Sequence, residues 1–216
     1  MDRDCTGKER VAVVTGGSGG VGGAVVEELR RRGWTVRSLS RREGCDVTIE
    51  AQVGLAFSQL DRLDALVNCA AVLIKRPLEE LTAADWDVQL GALRGAFLCS
   101  REAFRLMARR GGSIVMLSSL SGVAGAEKFP GMSAYVAAKS GLAGLAEALA
   151  VEGRPLGIRV NTISPGAVDT DMLRISGVDG PRLQPGEVAP VVAWLASDAS
   201  SPLSGANLRM DPPATP

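Results

Sequence analysis

Short, nearly continuous apolar runs alternate along the chain with longer stretches in which apolar residues recur every three or four positions. The runs at 11–15 ("VAVVT"), 35–39, 65–68, 113–117, 158–163 and 206–210 predict strands; the periodic stretches at 20–32, 49–60, 82–109, 133–152 and 187–196 predict helices. Strands without polar alternation need cover on both faces. Right-handed crossovers place the intervening helices there, so the pattern predicts an α/β fold: a Rossmann-like, doubly wound parallel sheet in a three-layer αβα arrangement. No internal repeat or low-complexity linker interrupts it. A single domain over residues 1–216 is expected, with loose ends at about 1–9 and 212–216.

Two stretches are too short for this scheme. Only "RREG" separates Leu39-Ser40 from Cys45-Asp46, whereas a parallel crossover takes about a dozen residues or more. A helix is therefore missing there, and the strand that would follow is expected to be vestigial or irregular. Between Thr170 and Glu187 the segment "DMLRISGVDGPRLQPG" is rich in glycine and proline and is expected to form little helix, leaving an open cleft.

With 216 residues and 46% hydrophobic content, the chain can bury one full core. Its 24 basic and 24 acidic residues cancel, which provides no field for nucleic acid or anionic lipid and points to a small-molecule partner. Cys5, Cys45, Cys69 and Cys99 lack CxxC spacing and have no histidine companions, so no metal site is expected. "MDRDCTGKER" lacks a signal-peptide pattern, and no uninterrupted apolar run approaches the ~18 residues of a membrane span. A reducing cytoplasm is expected. Because the chain contains no histidine, any general acid must be Tyr, Lys, Cys or a carboxylate.

Two motifs carry chemistry. In "VAVVTGGSGGVGGAVVEEL" a strand leads through a glycine-rich turn into an amphipathic helix. Backbone N–H groups at such a helix start attract phosphate, and missing β-carbons allow close approach. A plain Gly/Ser linker would leave the flanking strand and helix unexplained. In "YVAAK", Tyr135 and Lys139 lie one helical turn apart. An ammonium there is expected to favour phenolate and lower the phenol pKa; the bland alternative is a solvated lysine beside a packed tyrosine.

Taken in order, TGxxxGxG, an apolar strand ending in Asn68, "SIVMLSS", the YxxxK helix and "VNTISPGAVDTDM" resemble the classical short-chain dehydrogenase/reductase family from Val11 to about Met210. The trimmed crossover is similar to compact hydroxysteroid dehydrogenase/carbonyl reductase members. The resemblance implies a Ser119, Tyr135 and Lys139 catalytic set. Around the pyrophosphate it implies Thr15, Gly16, Ser18, Gly20, Val21 and Gly22. Asn68 and Ala70 come from the counterpart of "NNAG", here "NCAA", and Pro165, Gly166, Val168 and Thr170 line the nicotinamide, with Tyr135 and Lys139 also touching cofactor. Thr170 could equally cap a helix.

Ser40 stands where NAD enzymes of this architecture place an acidic residue, and Arg41 and Arg42 follow it. This implies NADP(H) rather than NAD(H), with Asp46 and Val47 beside the adenine. The implied activity is reduction of a carbonyl to an alcohol by a homodimer or homotetramer, its dimer face on the Tyr135 helix and the long helix before it. Against it stands "GALRG", where the family's VNxxG would have an Asn at the position of Ala92. That departure keeps open a non-catalytic NADP(H)-binding protein, a sensor or scaffold. Val123, Phe129, Met132 and Met172 are candidates for an apolar substrate wall.

Overall fold

A computed structural model describes residues 9–212. The expected loose ends, apart from Glu9 and Pro212, lie outside the described residues, as does Cys5. Six strands form one sheet: β1 (Val11–Thr15), β2 (Thr35–Leu39), β3 (Ala65–Asn68), β4 (Gly112–Leu117), β5 (Ile158–Pro165) and β6 (Asn207–Met210). Every pairing is parallel, in the order β2-β1-β3-β4-β5-β6. From β1 the chain winds outward to β2, then returns to β3 on the other side of β1. The strand order reverses there, and a crevice opens beyond the carboxyl ends of β1 and β3.

The helices are α1 (Gly20–Arg31), α2 (Glu50–Ser58), α3 (Ala83–Met107), α4 (Ser133–Gly153), α5 (Asp171–Ser176) and α6 (Pro185–Ala196). Strand periodicity sorts the core into two layers. Val13, Leu66, Ile114, Met116 and Val160 face α2, α3 and α4 through Phe57, Ala103 and Leu142. The alternate residues Val14, Val67, Val115 and Ile163 face α1 and α6 through Leu29 and Val192. Thr82 opens α3 with a capping box: its hydroxyl accepts from the Asp85 N–H, and the Asp85 carboxylate accepts from the Thr82 N–H.

The abbreviated crossover is more severe than a vestigial strand. After β2 the chain makes one 3-10 turn at Arg41–Glu43, passes Gly44 at φ +81° and enters α2 with no intervening strand. β2 is therefore the sheet edge. The segment after Thr170 does form a helix, although α5 is only six residues long and ends at Gly177 with φ +60°. The helical span 133–156 is long and apolar enough by composition to cross a membrane. Here, however, it packs on α3 and β5 and carries Tyr135 and Lys139 into the interior.

Candidate active site

The glycine turn is set by close contacts. Gly16 has φ +69°, and a Cβ there would lie 2.8 Å from the Ala70 Cα. A Cβ on Gly22 would strike the Gly16 carbonyl, 2.8 Å from its carbon. The start of α1 thus folds directly onto the end of β1. No side chain caps α1, and its first turn holds no acidic residue, leaving a helix N-terminus suited to an anion. Gly16, Ser18, Gly20, Val21 and Gly22 line a cleft of about 1260 Å³ that runs from this turn to Tyr135. Its volume and its side-chain-free cradle fit a dinucleotide.

Two residues assigned to the cofactor by resemblance do not line this cleft. Thr15 is 1% exposed, and its hydroxyl accepts from the N–H groups of Cys69 and Ala70 at 3.0 and 3.1 Å. It ties β1 to the turn after β3. Asn68 is buried and donates to Ser100 Oγ and Met116 Sδ. Their neighbours Cys69, Ala70 and Ala71 form the wall instead. Burial pushes the Cys69 thiol up to about 12, so it stays protonated and serves as wall rather than nucleophile.

At the other end, Ser40, Arg41, Arg42, Asp46 and Val47 all reach the cleft. Asp46 accepts from the N–H and hydroxyl of Thr48, which, with the nearby Arg41 charge, holds its carboxyl below the usual range. Pro165, Gly166, Val168 and Thr170 line the opposite wall. Thr170 precedes α5 but makes no side-chain cap; its hydroxyl donates to the Val168 carbonyl.

β4 ends beside α4, and the two elements interlock. Ser118 Oγ donates to the Lys139 carbonyl at 2.7 Å, and Lys139 Nζ donates back to the Leu117 carbonyl at 2.7 Å. Gly122 sits against Lys139 so closely that a Cβ would come within 2.7 Å of its carbonyl carbon. These contacts bring Ser119, Tyr135 and Lys139 to one wall of the cleft, with the Ser119 hydroxyl accepting from the Ser121 N–H at 3.2 Å. Lys139 Nζ lies 5.7 Å from the centre of the Tyr135 ring.

The expected lowering of the phenol pKa does not occur. Burial raises Tyr135, with the nearby Ser119 hydroxyl opposing it, because Lys139 points its ammonium at Leu117 rather than at the phenol oxygen. Burial also pushes Lys139 down to about 8 from 10.5. Between those two values Lys139 is more protonated in the unfolded chain than in the folded one. The Lys139 contribution to the stability of the free protein is therefore expected to rise with pH from about 8 to about 10.5, while the buried Cys69 and Cys99 thiols, raised from 9.0 to about 12, oppose it above about 9. The urea midpoint of the parent should therefore gain on that of Lys139→Met as pH rises across that range; a constant difference between the two proteins would assign the pH dependence to other groups.

Ala92 is buried and lines the cleft, as the register with Gly95 requires. One turn before it stands Gln89, 1% exposed and missed in the sequence. Its amide oxygen accepts from Ile74 N–H at 2.8 Å, and its nitrogen donates to the Val72 carbonyl at 2.6 Å. It thereby fixes the chain after β3 to α3. An apolar cluster of Leu73, Met132 and Tyr135, with Phe129 and Met172 against it, walls the Tyr135 end. Val123 does not line the cleft.

Residues 25–212 match the family model described as enoyl-(acyl carrier protein) reductase. With a parallel sheet, glycine cradle and Tyr135/Lys139 helix in one cleft, the chain belongs to the short-chain dehydrogenase/reductase family, oxidoreductases that bind nicotinamide cofactors and act on alcohol and carbonyl groups. It is similar to the acetoacetyl-CoA reductase of Allochromatium vinosum, 33% identical over 94% of this chain and 97% of that protein. A cis-4-hydroxycyclohexanecarboxylate dehydrogenase of Sinomonas cyclohexanicum is 36% identical, covering 94% of this chain and 95% of its own length. The ligand-free structure of Thermoplasma acidophilum aldohexose dehydrogenase superposes with a TM-score of 0.87 at 27% identity, covering 97% of this chain and 98% of that one.

Proposed function

We propose that the protein reduces a carbonyl compound to an alcohol with NADPH, using Ser119, Tyr135 and Lys139. The observation that carries this reading is that Ser119, Tyr135 and Lys139, with Lys139 Nζ 5.7 Å from the Tyr135 ring centre, line the same cleft as the uncapped start of α1. Bound nicotinamide supplies the hydride. The Tyr135 hydroxyl gives its proton to the carbonyl oxygen, and the Ser119 hydroxyl donates a hydrogen bond that stabilises the developing negative charge there. Lys139, still mostly protonated at neutral pH with a pKa of about 8, would hold the ribose, its ammonium anchored on the Leu117 carbonyl. Gly16, Ser18, Gly20, Val21 and Gly22 hold the pyrophosphate; Pro165, Gly166, Val168 and Thr170 flank the nicotinamide.

NADP(H) is favoured over NAD(H) because Arg41 and Arg42 face the cleft beside Ser40, and a planar guanidinium suits a phosphate. Arg41→Asp is expected to invert the kcat/KM preference towards NADH; an unchanged ratio would refute the assignment. The apolar wall of Leu73, Phe129, Met132 and Met172 favours an apolar carbonyl substrate. Exposed Phe97 on α3 and Val151 on α4 support a homodimer or homotetramer, although Gly141 on α4 is already used against Leu93 within the monomer. Cys45, Cys69 and Cys99 are free thiols, in keeping with a cytoplasmic location.

Ala92 supports a second reading, a non-catalytic NADP(H) sensor or scaffold, because alanine has no side-chain group for a proton relay. Oxidation of NADPH, followed by absorbance with a panel of ketones, diketones and quinones, separates the two. Turnover supports the enzyme, whereas tight NADPH binding without turnover on any substrate supports the sensor.

A further inference from the structure

Arg41 and Arg42 share the end of β2 with a carboxylate. Ser38 and Ser40 lie two residues apart on one face of the strand, and both donate their hydroxyls to the same oxygen of Glu43, at 2.7 and 2.6 Å. Ser40 is buried and lines the cleft with Arg41 and Arg42. Ser38 abuts Gly17 in the glycine turn, where a Cβ would collide with its hydroxyl. The one turn that replaces the missing crossover thus folds Glu43 back onto the strand face beside the phosphate cradle. The Ser40 and Ser38 hydroxyls, with Arg30 nearby, hold its carboxyl below the usual range, so it is ionised at neutral pH.

A serine hydroxyl has one proton to donate. While Ser40 gives it to Glu43, it cannot give it to a 2′-phosphate. Glu43 itself does not line the cleft and acts through Ser40: a phosphate dianion placed on Ser40 meets like charge one hydroxyl behind it, whereas a neutral 2′-hydroxyl does not. We propose that Glu43 is a cofactor-specificity residue set against Arg41, which weakens the preference for the 2′-phosphate and lets the adenosine end accept an unphosphorylated ribose as well. This rests on the reading of the cleft as a dinucleotide site.

The test separates the two ideas by using half-cofactors. Binding of adenosine 2′,5′-bisphosphate and of 5′-AMP is measured calorimetrically for the full chain and for Glu43→Gln and Glu43→Ala. Glu43→Gln keeps an acceptor for the serines and removes the charge; Glu43→Ala also frees Ser40. The affinity ratio of bisphosphate to AMP is expected to rise about tenfold or more in Glu43→Gln, between the limits for one like charge a few ångströms away in bulk water and at a protein surface, and at least as far in Glu43→Ala. The kcat/KM ratio for NADPH over NADH should rise in parallel. An unchanged ratio in both variants, with both nucleotides still bound and melting temperatures preserved, overturns the role of Glu43 and leaves the cofactor reading standing. Failure of the parent protein to bind either nucleotide overturns both.

Discussion

Tyr135→Phe is expected to abolish carbonyl reduction while leaving NADPH affinity nearly unchanged. The ring is 8% exposed and packs on Leu73 and Met132, contacts that phenylalanine preserves. What disappears is the hydroxyl that shares the cleft wall with Ser119. With no histidine in the chain, the Cys69 thiol held protonated up to about 12 and the Lys139 ammonium donated to the Leu117 carbonyl, no other group is expected to replace it efficiently as proton donor. General acid catalysis is worth about 10²-fold or more, so retention of more than about a tenth of the parent kcat would refute the assignment. NADPH affinity by fluorescence titration supplies the control, and loss of the hydroxyl should cost no more stability than a single hydrogen bond, about 1 kcal/mol.

Gly22→Ala should do the reverse, damaging cofactor binding before chemistry. The new methyl would meet the Gly16 carbonyl, which is backbone and cannot swing aside as a side chain would. Either α1 moves off β1 or the cradle around Gly16 opens. Overpacking of this kind costs about 1–3 kcal/mol, and the displaced N–H groups should weaken NADPH binding by about tenfold or more, the equivalent of about 1.4 kcal/mol. Gly23→Ala makes the comparison sharp, because a Cβ there would be 3.6 Å from the nearest atom, the Gly17 carbonyl oxygen, an ordinary contact. A Gly22→Ala protein that binds NADPH as well as the Gly23→Ala protein would show that the turn does not cradle the pyrophosphate.

The sheet was legible because each strand is read from its own residues. Val11–Thr15 or Ala65–Asn68 is too apolar to lie anywhere but between two helical layers. The Tyr135–Lys139 pair was legible because helical spacing alone puts the two on one face. Side-chain direction across elements was harder to read. Thr15 and Asn68 sit at the carboxyl ends of strands lining the crevice, yet a strand residue can point into the core as readily as along the cleft, and these two do. The phenol pKa depended on where a flexible lysine sends its ammonium, and the Leu117 carbonyl, supplied by a distant strand, decided it. Gln89 and Glu43 were missed for a related reason. Their partners Val72, Ile74, Ser38 and Ser40 are fixed by loop paths that leave no periodic trace.

The absent strand beside β2 also bears on how the molecule avoids itself. A sheet edge presents unpaired backbone donors and acceptors, on which another chain can add a strand. Here that edge is five residues long, and charged side chains guard it: Arg37 lies within the strand and is hydrogen-bonded to Gln59, while Arg30 reaches the Val36 carbonyl. In a sheet with one more strand, Arg37 would sit at an interior position and would have to be accommodated by its neighbours. In this one it serves as a gatekeeper, so ending the sheet at β2 gives Arg37 the task of protecting an edge against strand addition.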